Sequence, residues 1–202
     1  MTVISLKALP MPLSWQVEPA GYTTDGEAAL EVTAPARTDM FFDPGGSEPT
    51  LNAARLLGTP PDGPFQFSAR VRVDFAGTFD AGALLVWAGD REWAKLCFER
   101  SPQGEVMAVS VVTRGQSDDA NAFTVAPGAP LWLRVSRLGP NWAFHASTDG
   151  AHWHFVRHFG LTVDGAPLVG FVAQAPMGDG CTVAFDQITF VPERLADLRS
   201  GE

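Results

Sequence analysis

Apolar residues in this chain recur at every second position, in short runs closed by glycine or proline. A period of two buries one side of a strand and exposes the other, whereas a helix needs a period near 3.6. Phe67, Ala69, Val71 and Val73 alternate with Ser68, Arg70, Arg72 and Asp74, which predicts a strand with a charged outer face. Leu131, Leu133 and Val135 alternate with Trp132, Arg134 and Ser136; beyond the Gly139-Pro140 break, Trp142, Phe144 and Ala146 answer them on the core side. The run from Phe79 to Trp87 is more continuously apolar, as expected of a strand covered on both faces. Ala29–Ala34, Leu168–Ala173 and Thr182–Phe190 supply further strands. Helix-compatible composition occurs in only two places: Asn52–Leu57, where a strand or irregular crossing fits equally well, and the tail from about Pro192. With 20 glycines and 16 prolines dividing the rest, the expected class is all-β, a two-sheet antiparallel jelly-roll sandwich, with a closed barrel as competitor. No repeat or linker divides residues 1–202, so a single domain with a helical or frayed tail is expected.

The stretch from Trp93 to Thr113 reads as a hairpin that carries chemistry. Ala94, Leu96 and Phe98 point one way, and Trp93, Lys95, Cys97 and Glu99 the other. Taking Ser101–Gly104 as a four-residue loop pairs Phe98 with Met107, Leu96 with Val109 and Lys95 with Ser110. That register continues the core face through Met107, Val109 and Val111. It sets an aromatic, a lysine and a glutamate over a floor of small residues, Ala108 and Ser110, a face suited to a polar ligand. The polar run Arg114–Asn121 that follows reads as a surface loop.

A second hairpin turns at Ser147-Thr148-Asp149-Gly150, where Asp-Gly suits a positive φ. Its expected pairing sets Phe144 against Phe155 and Ala146 against Trp153, with His145 opposite His154 and Arg134 beside His145. His145, His152 and His154 would then share one patch. Zinc is conceivable there, but no carboxylate is placed behind the ring nitrogens, and surface histidines without a partner are the plainer reading.

A formal charge of −9 gives no cationic footprint for nucleic acid. No apolar run is long enough for a membrane span and no secretory leader is evident, so the expected compartment is cytoplasmic. Cys97 and Cys181 match no metal or redox spacing and read as reduced thiols. No Gly-x-Ser-x-Gly elbow or phosphate-cradling glycine loop is present, and no cofactor or metal is expected.

Five phrases occur in order along nearly the whole chain: Thr38-Asp39-Met40-Phe41, Phe79-Asp80-Ala81-Gly82, Trp93-x-Lys95-x-x-x-Glu99, Val111-Val112-Thr113 with Ser117-Asp118, and Ser147-x-Asp149-Gly150-x-x-Trp153. Together they resemble a family of about two hundred residues in the concanavalin-A-like lectin and glucanase superfamily, the one that includes the fungal regulation-of-enolase protein. The resemblance implies a jelly roll with one concave and one convex sheet, in a superfamily where sugar binding is common. Two better-known branches do not carry over. Glucanases of this fold hold their paired acids on one strand, and here Glu99 has no carboxylate two or four residues away. Calcium-dependent lectins use a loop dense in acids, and Asp118-Asp119-Ala120-Asn121 is too sparse.

The sequence therefore predicts a non-catalytic binding domain for a carbohydrate or other polyhydroxylated metabolite. Trp93 and Trp132 would stack on the ligand, and Lys95, Glu99 and Arg134 would bond it, with His145 beside them. One alternative is a protein-interaction or regulatory module of metabolism. A second is a glycoside hydrolase-like enzyme pairing Glu99 with Asp39 or Asp80.

Overall fold

The computed structural model describes residues 2–162 and 164–202. The first part of the chain forms β1 (Val3–Ile4), β2 (Leu13–Val17), β3 (Gly21–Thr24), β4 (Leu30–Pro35), β5 (Met40–Phe41), β6 (Thr50–Leu51) and β7 (Ala54–Gly58). The middle forms β8 (Phe65–Val73), β9 (Ala81–Gly89), β10 (Glu92–Arg100), β11 (Val106–Arg114) and β12 (Ser117–Val125). The remainder forms β13 (Leu131–Arg137), β14 (Asn141–Ser147), β15 (His154–Gly160), β16 (Leu168–Gln174) and β17 (Gly180–Val191). An eight-stranded sheet runs β1-β2-β7-β16-β9-β10-β11-β12 and a seven-stranded sheet runs β15-β14-β13-β8-β17-β4-β3. Both draw strands from early and late in the chain, as a jelly-roll sandwich requires. Among the described residues there is no helix: Asn52–Leu57 runs into β7, which is buried along its length, and the tail beyond Val191 is a series of turns.

The main core lies between the sheets. Leu84, Leu96, Phe98 and Phe171 of the first sheet meet Phe67, Val71, Leu133, Phe144 and Phe185 of the second. Phe171 bridges the layers, its ring centroid 5.3 Å from Phe67 and 4.8 Å from Phe185. Gly82 marks a close approach of the two layers, since a Cβ there would lie 2.4 Å from a Val183 methyl and 2.8 Å from a Val71 methyl. Such overlap cannot be relieved by a flexible side-chain end.

Next to their turns both hairpin registers differ from the sequence expectation by one residue. In the first, Glu99 pairs with Met107, Cys97 with Val109 and Lys95 with Val111. The turn is odd: Ser101 and Glu105 still pair, through Ser101 N–H to Glu105 O at 2.8 Å, leaving Pro102-Gln103-Gly104 with Gly104 at φ 87°. A three-residue loop ending in a left-handed glycine is a standard hairpin closure. Because side chains alternate with period two, the slip moves Met107, Val109 and Val111 off the inter-sheet core and onto the outer face beside Lys95. Ala108 and Val112 take their places in the main core.

In the second hairpin His145 pairs with Phe155 and Ala146 with His154, and a bulge near Val156 restores core pairing beyond it. Phe155 thus shares the outer face with His145, at 5.7 Å, and Phe159 meets Phe144 in the core at 4.6 Å. The polar run Arg114–Asn121 is not a loop: after a tight turn at Gly115 it becomes β12, an edge strand whose outward polar residues discourage further pairing.

Candidate functional site

The outer face of the eight-stranded sheet carries a second apolar cluster that includes Leu57, Ala81, Ala83, Leu85, Trp93, Cys97 and Val172. It is covered by the chain between Arg37 and Ala53, which lays Met40 and Phe42 onto it. This flap is fastened at both ends. Thr38 exchanges backbone bonds with Ala175 at the end of β16. At the other end, Phe42 N–H donates to Ser117 Oγ at 2.9 Å, and Ser117 N–H donates back to Phe42 O at 2.8 Å. Asn52 Oδ1 accepts the Asp39 N–H at 2.8 Å, and the Asp39 carbonyl accepts from Asn52 and Ala53 at 3.0 Å each. The carboxylate of Asp39 is therefore held over the sheet by a rigid support.

Flap and sheet enclose a cavity of about 180 Å³ lined by Asp39, Phe41, Phe79, Lys95, Glu99, Val109, Val111, Asp119 and Gln174. Cross-strand registers explain its shape. Lys95 stands level with Val111 and Asp119, and Glu99 with Ala81 and Gln174. On this face β9 sets Leu85 opposite Lys95 and the small Ala83 and Ala81 beyond it, leaving a trough along which the lysine reaches Gln174. Lys95, 2% exposed, donates from Nζ to Gln174 Oε1 at 2.7 Å and lies 3.7 Å from Asp39 Oδ1. A cation so deeply placed persists only with such partners.

Glu99 has no hydrogen-bond partner among the described residues, and burial pushes its carboxyl up to about 7. The Lys95 charge opposes that rise, while Asp39 and Asp119 add to it. Burial likewise raises the Cys97 thiol far above its ordinary range, so it is no nucleophile. Phe79 stands at the rim, 38% exposed, with φ 65°. A bulky side chain in that backbone region is a true outlier and marks stored strain. It is held there by Phe79 N–H to Arg100 O at 2.8 Å and by Gln174 Nε2 donating to its carbonyl at 3.2 Å.

The six residues expected to share a face are divided between opposite sides of the sandwich. Lys95 and Glu99 line the cavity. Trp93 is on the same sheet face but fully buried, its ring edge-on to Phe42 at 6.1 Å, so it is no stacking platform. Trp132, Arg134 and His145 lie on the outer face of the other sheet, because the chain crosses between layers from β12 to β13. Alternation within a strand fixes which residues point outward, not which sheet they point from.

These three are engaged internally. Trp132 Nε1 donates to Gln187 Oε1 at 3.0 Å. Arg134 donates to Gln66 Oε1 at 3.1 Å and to the Gly201 carbonyl, with its guanidinium 4.1 Å from the Trp153 ring. His145 Nε2 bonds the Leu198 carbonyl at 2.9 Å. Burial brings the Arg134 guanidinium down to about 10 and the His145 imidazole to about 4.

His152 and His154 are exposed 6.3 Å apart, away from buried His145, so the expected histidine patch does not assemble. Among the described residues no cluster of three His, Cys, Asp or Glu side chains is placed to hold a metal ion. Asp80, one of two acids considered as a partner for Glu99, does not line the cavity; its Oδ2 accepts the Ala76 and Gly77 N–H groups at 2.9 and 2.6 Å. Asp39, the other, does line it, as does Asp119. The Ser147–Trp153 turn is structural as expected: Asp149 Oδ1 accepts the Ala151 and His152 N–H groups and the Ser147 hydroxyl, which lowers its carboxyl to about 2. Asp39, Phe41, Phe79 and Asp119 all fall in or beside sequence phrases singled out above, whereas Gln174 gave no signal beyond being a polar residue closing an apolar strand.

A family model described as a protein of unknown function (DUF1349) matches residues 15–193. Regulation of enolase protein 1 of Saccharomyces cerevisiae is 28% identical over 138 residues, which is 68% of this chain and 69% of that protein. A solved structure of a functionally unknown Saccharomyces cerevisiae protein superposes with TM-score 0.81 at 23% identity, over 90% of this chain and 96% of the other. The carbohydrate binding module CBM66 of Bacillus subtilis superposes with TM-score 0.58 at 11% identity, over 93% and 99%. At those identities the two structures establish the shared jelly-roll fold. No helix of the described residues is long and apolar enough to cross a membrane.

Proposed function

The chain belongs to the DUF1349 family of proteins of unknown function, and we propose that its roofed pocket binds one small polyhydroxylated molecule, a single sugar ring or sugar-like metabolite, without transforming it. The observation that carries this reading is convergence. Polar side chains from the flap, β10, β12 and β16 meet in one cavity that Phe41 and Phe79 also line. Enclosed polar groups beside apolar walls suit a ligand that is polar at its edge and apolar on its ring face. A volume near 180 Å³ corresponds to about six waters at ~30 Å³ each and falls below the ~300 Å³ of drug-sized sites. It favours one ring over a chain of sugars. The fold likeness to a carbohydrate binding module supports the same class.

Trp93 gives the test. It lies against the flap and 5.9 Å from Lys95 Nζ, so filling the cavity should change its emission. Titration with a panel of monosaccharides and polyols should give a saturable change that disappears in Trp93→Phe. A flat response to the whole panel defeats the proposal.

The name of the yeast relative favours a second reading, a regulatory module that docks on a protein. Exposed Phe79 at the rim would then be a contact residue. Recovery of one stoichiometric protein partner, lost in Phe79→Ser while the monosaccharide response is retained, would select it.

A further inference from the structure

We infer that the molecule taken by this pocket carries a cationic amine, making it an aminopolyol or amino sugar and not a neutral or acidic one. This narrows the polyol reading and rests on it. Three carboxylates, Asp39, Glu99 and Asp119, line the cavity against one cation, Lys95. That cation is already turned to Gln174 Oε1 at 2.7 Å and to Asp39 at 3.7 Å. Asp39 Oδ1 also accepts the Met40 N–H at 2.7 Å. Lys95 thus offsets one acid; Asp119 and Glu99 remain, and an ammonium placed beside Glu99 favours its ionised form.

Glu99 is the decisive group. It is partly buried, faces the cavity and has no hydrogen-bond partner among the described residues. A carboxylate left in that state costs free energy that a bound donor recovers. An ammonium supplies a charge-assisted bond and removes the local excess of negative charge. A hydroxyl supplies only a neutral bond, and a uronate adds a fourth negative group. The remaining N–H donors of Lys95 and the carboxylate of Asp119 are left for the ligand's hydroxyls.

Calorimetric titration of the full chain at neutral pH tests this with matched pairs: glucosamine against glucose, and meglumine against sorbitol, with glucuronate as the acidic probe. Each amine is expected to bind about tenfold or more tightly than its neutral counterpart, the gain of one charge-assisted bond, and glucuronate not to bind. Glu99→Gln should level the two members of each pair by weakening the amine. If glucose and sorbitol bind as well as their amines, the amine inference falls and the polyol reading stands. If none of the five binds, both fall.

Discussion

The two outer faces of the sandwich begin from the same materials, a tryptophan, a buried cation and a further titratable group on alternating strand positions, and reach opposite ends. On the seven-stranded sheet Arg134 and His145 are covered by the tail, which supplies the carbonyls of Gly201 and Leu198 and seals Arg134 Nε and His145 Nδ1 away without partners. On the eight-stranded sheet the covering flap brings a carboxylate instead and stops short of Glu99, which keeps an unmet hydrogen-bonding need inside a cavity. A covered polar group whose partner comes from its own chain contributes to stability. One that lines a cavity without a partner is available to a ligand, at some cost to the fold.

The largest expected effect is on the pH dependence of stability, because the two faces titrate in opposite senses. Burial holds Glu99 at about 7 against an ordinary 4.5. The folded chain binds that proton more tightly than the unfolded one, so the contribution is complete below about 4.5 and is lost as pH rises through 7. Burial holds His145 at about 4 against 6.5. Its contribution is complete above about 6.5 and is lost as pH falls through 4. Each is worth up to about 3 kcal/mol, and between about 4.5 and 6.5 they offset one another. Urea unfolding across pH should therefore show Glu99→Gln gaining stability with rising pH more steeply than the parent, and His145→Asn losing it. If both variants keep the parental slope, the contrast between the faces has no energetic content.

The same substitution on each face sharpens the comparison. Lys95→Met removes a buried charge and leaves Gln174 Oε1 without its donor; these oppose one another, so stability should change by about 1 kcal/mol or less. Affinity for a neutral polyol should fall about 100-fold, as for loss of a charged hydrogen bond in an enclosed site, and for an amine by less, because the lost cation also repelled it. Arg134→Met should do the reverse. Losing the Gln66 and Gly201 bonds and the contact with Trp153 should cost about 2 kcal/mol and leave affinity unchanged. Denaturation and calorimetry on the two variants decide it, and an Arg134→Met protein that binds weakly would break the division of labour.

The fold was legible because alternation in β4, β8, β13, β14 and β17 records which side of each strand is buried. Register was not, because it depends on loop parity. Gly104 closing a three-residue turn and the bulge near Val156 each moved a strand by one place, enough to exchange Val109 and Val111 between core and cavity. The site was half legible. Lys95 and Glu99 were found from their strand, and Asp39, Phe41 and Phe79 sat in phrases noted for resemblance but not read as a surface. Trp132, Arg134 and His145 were joined to them because sequence gives outwardness without saying from which layer. The flap over Trp93 was hidden as well, its covering residues being two very short strands and a long turn.

The smallest expected effect isolates the tail from the residues beneath it. Gly201 has φ 77°, and a Cβ there would lie 2.5 Å from Arg134 Nη2, 2.9 Å from Trp153 Cβ and 3.0 Å from His145 Cδ2. Gly201→Ala therefore combines backbone strain with a clash that only a shift of the tail relieves, for about 1–2 kcal/mol. Arg134 keeps its bond to Gln66, so the cost should stay below that of Arg134→Met. Hydrogen exchange should quicken at Gly201, whose N–H donates to the Asp197 carbonyl at 3.0 Å. Once uncovered, His145 should titrate nearer its ordinary 6.5 than 4, which an NMR titration of the imidazole reads directly. A His145 that stays at the low value in this variant would mean that its burial comes from the sheet and from Phe155, and that the tail is an ornament on a face already closed.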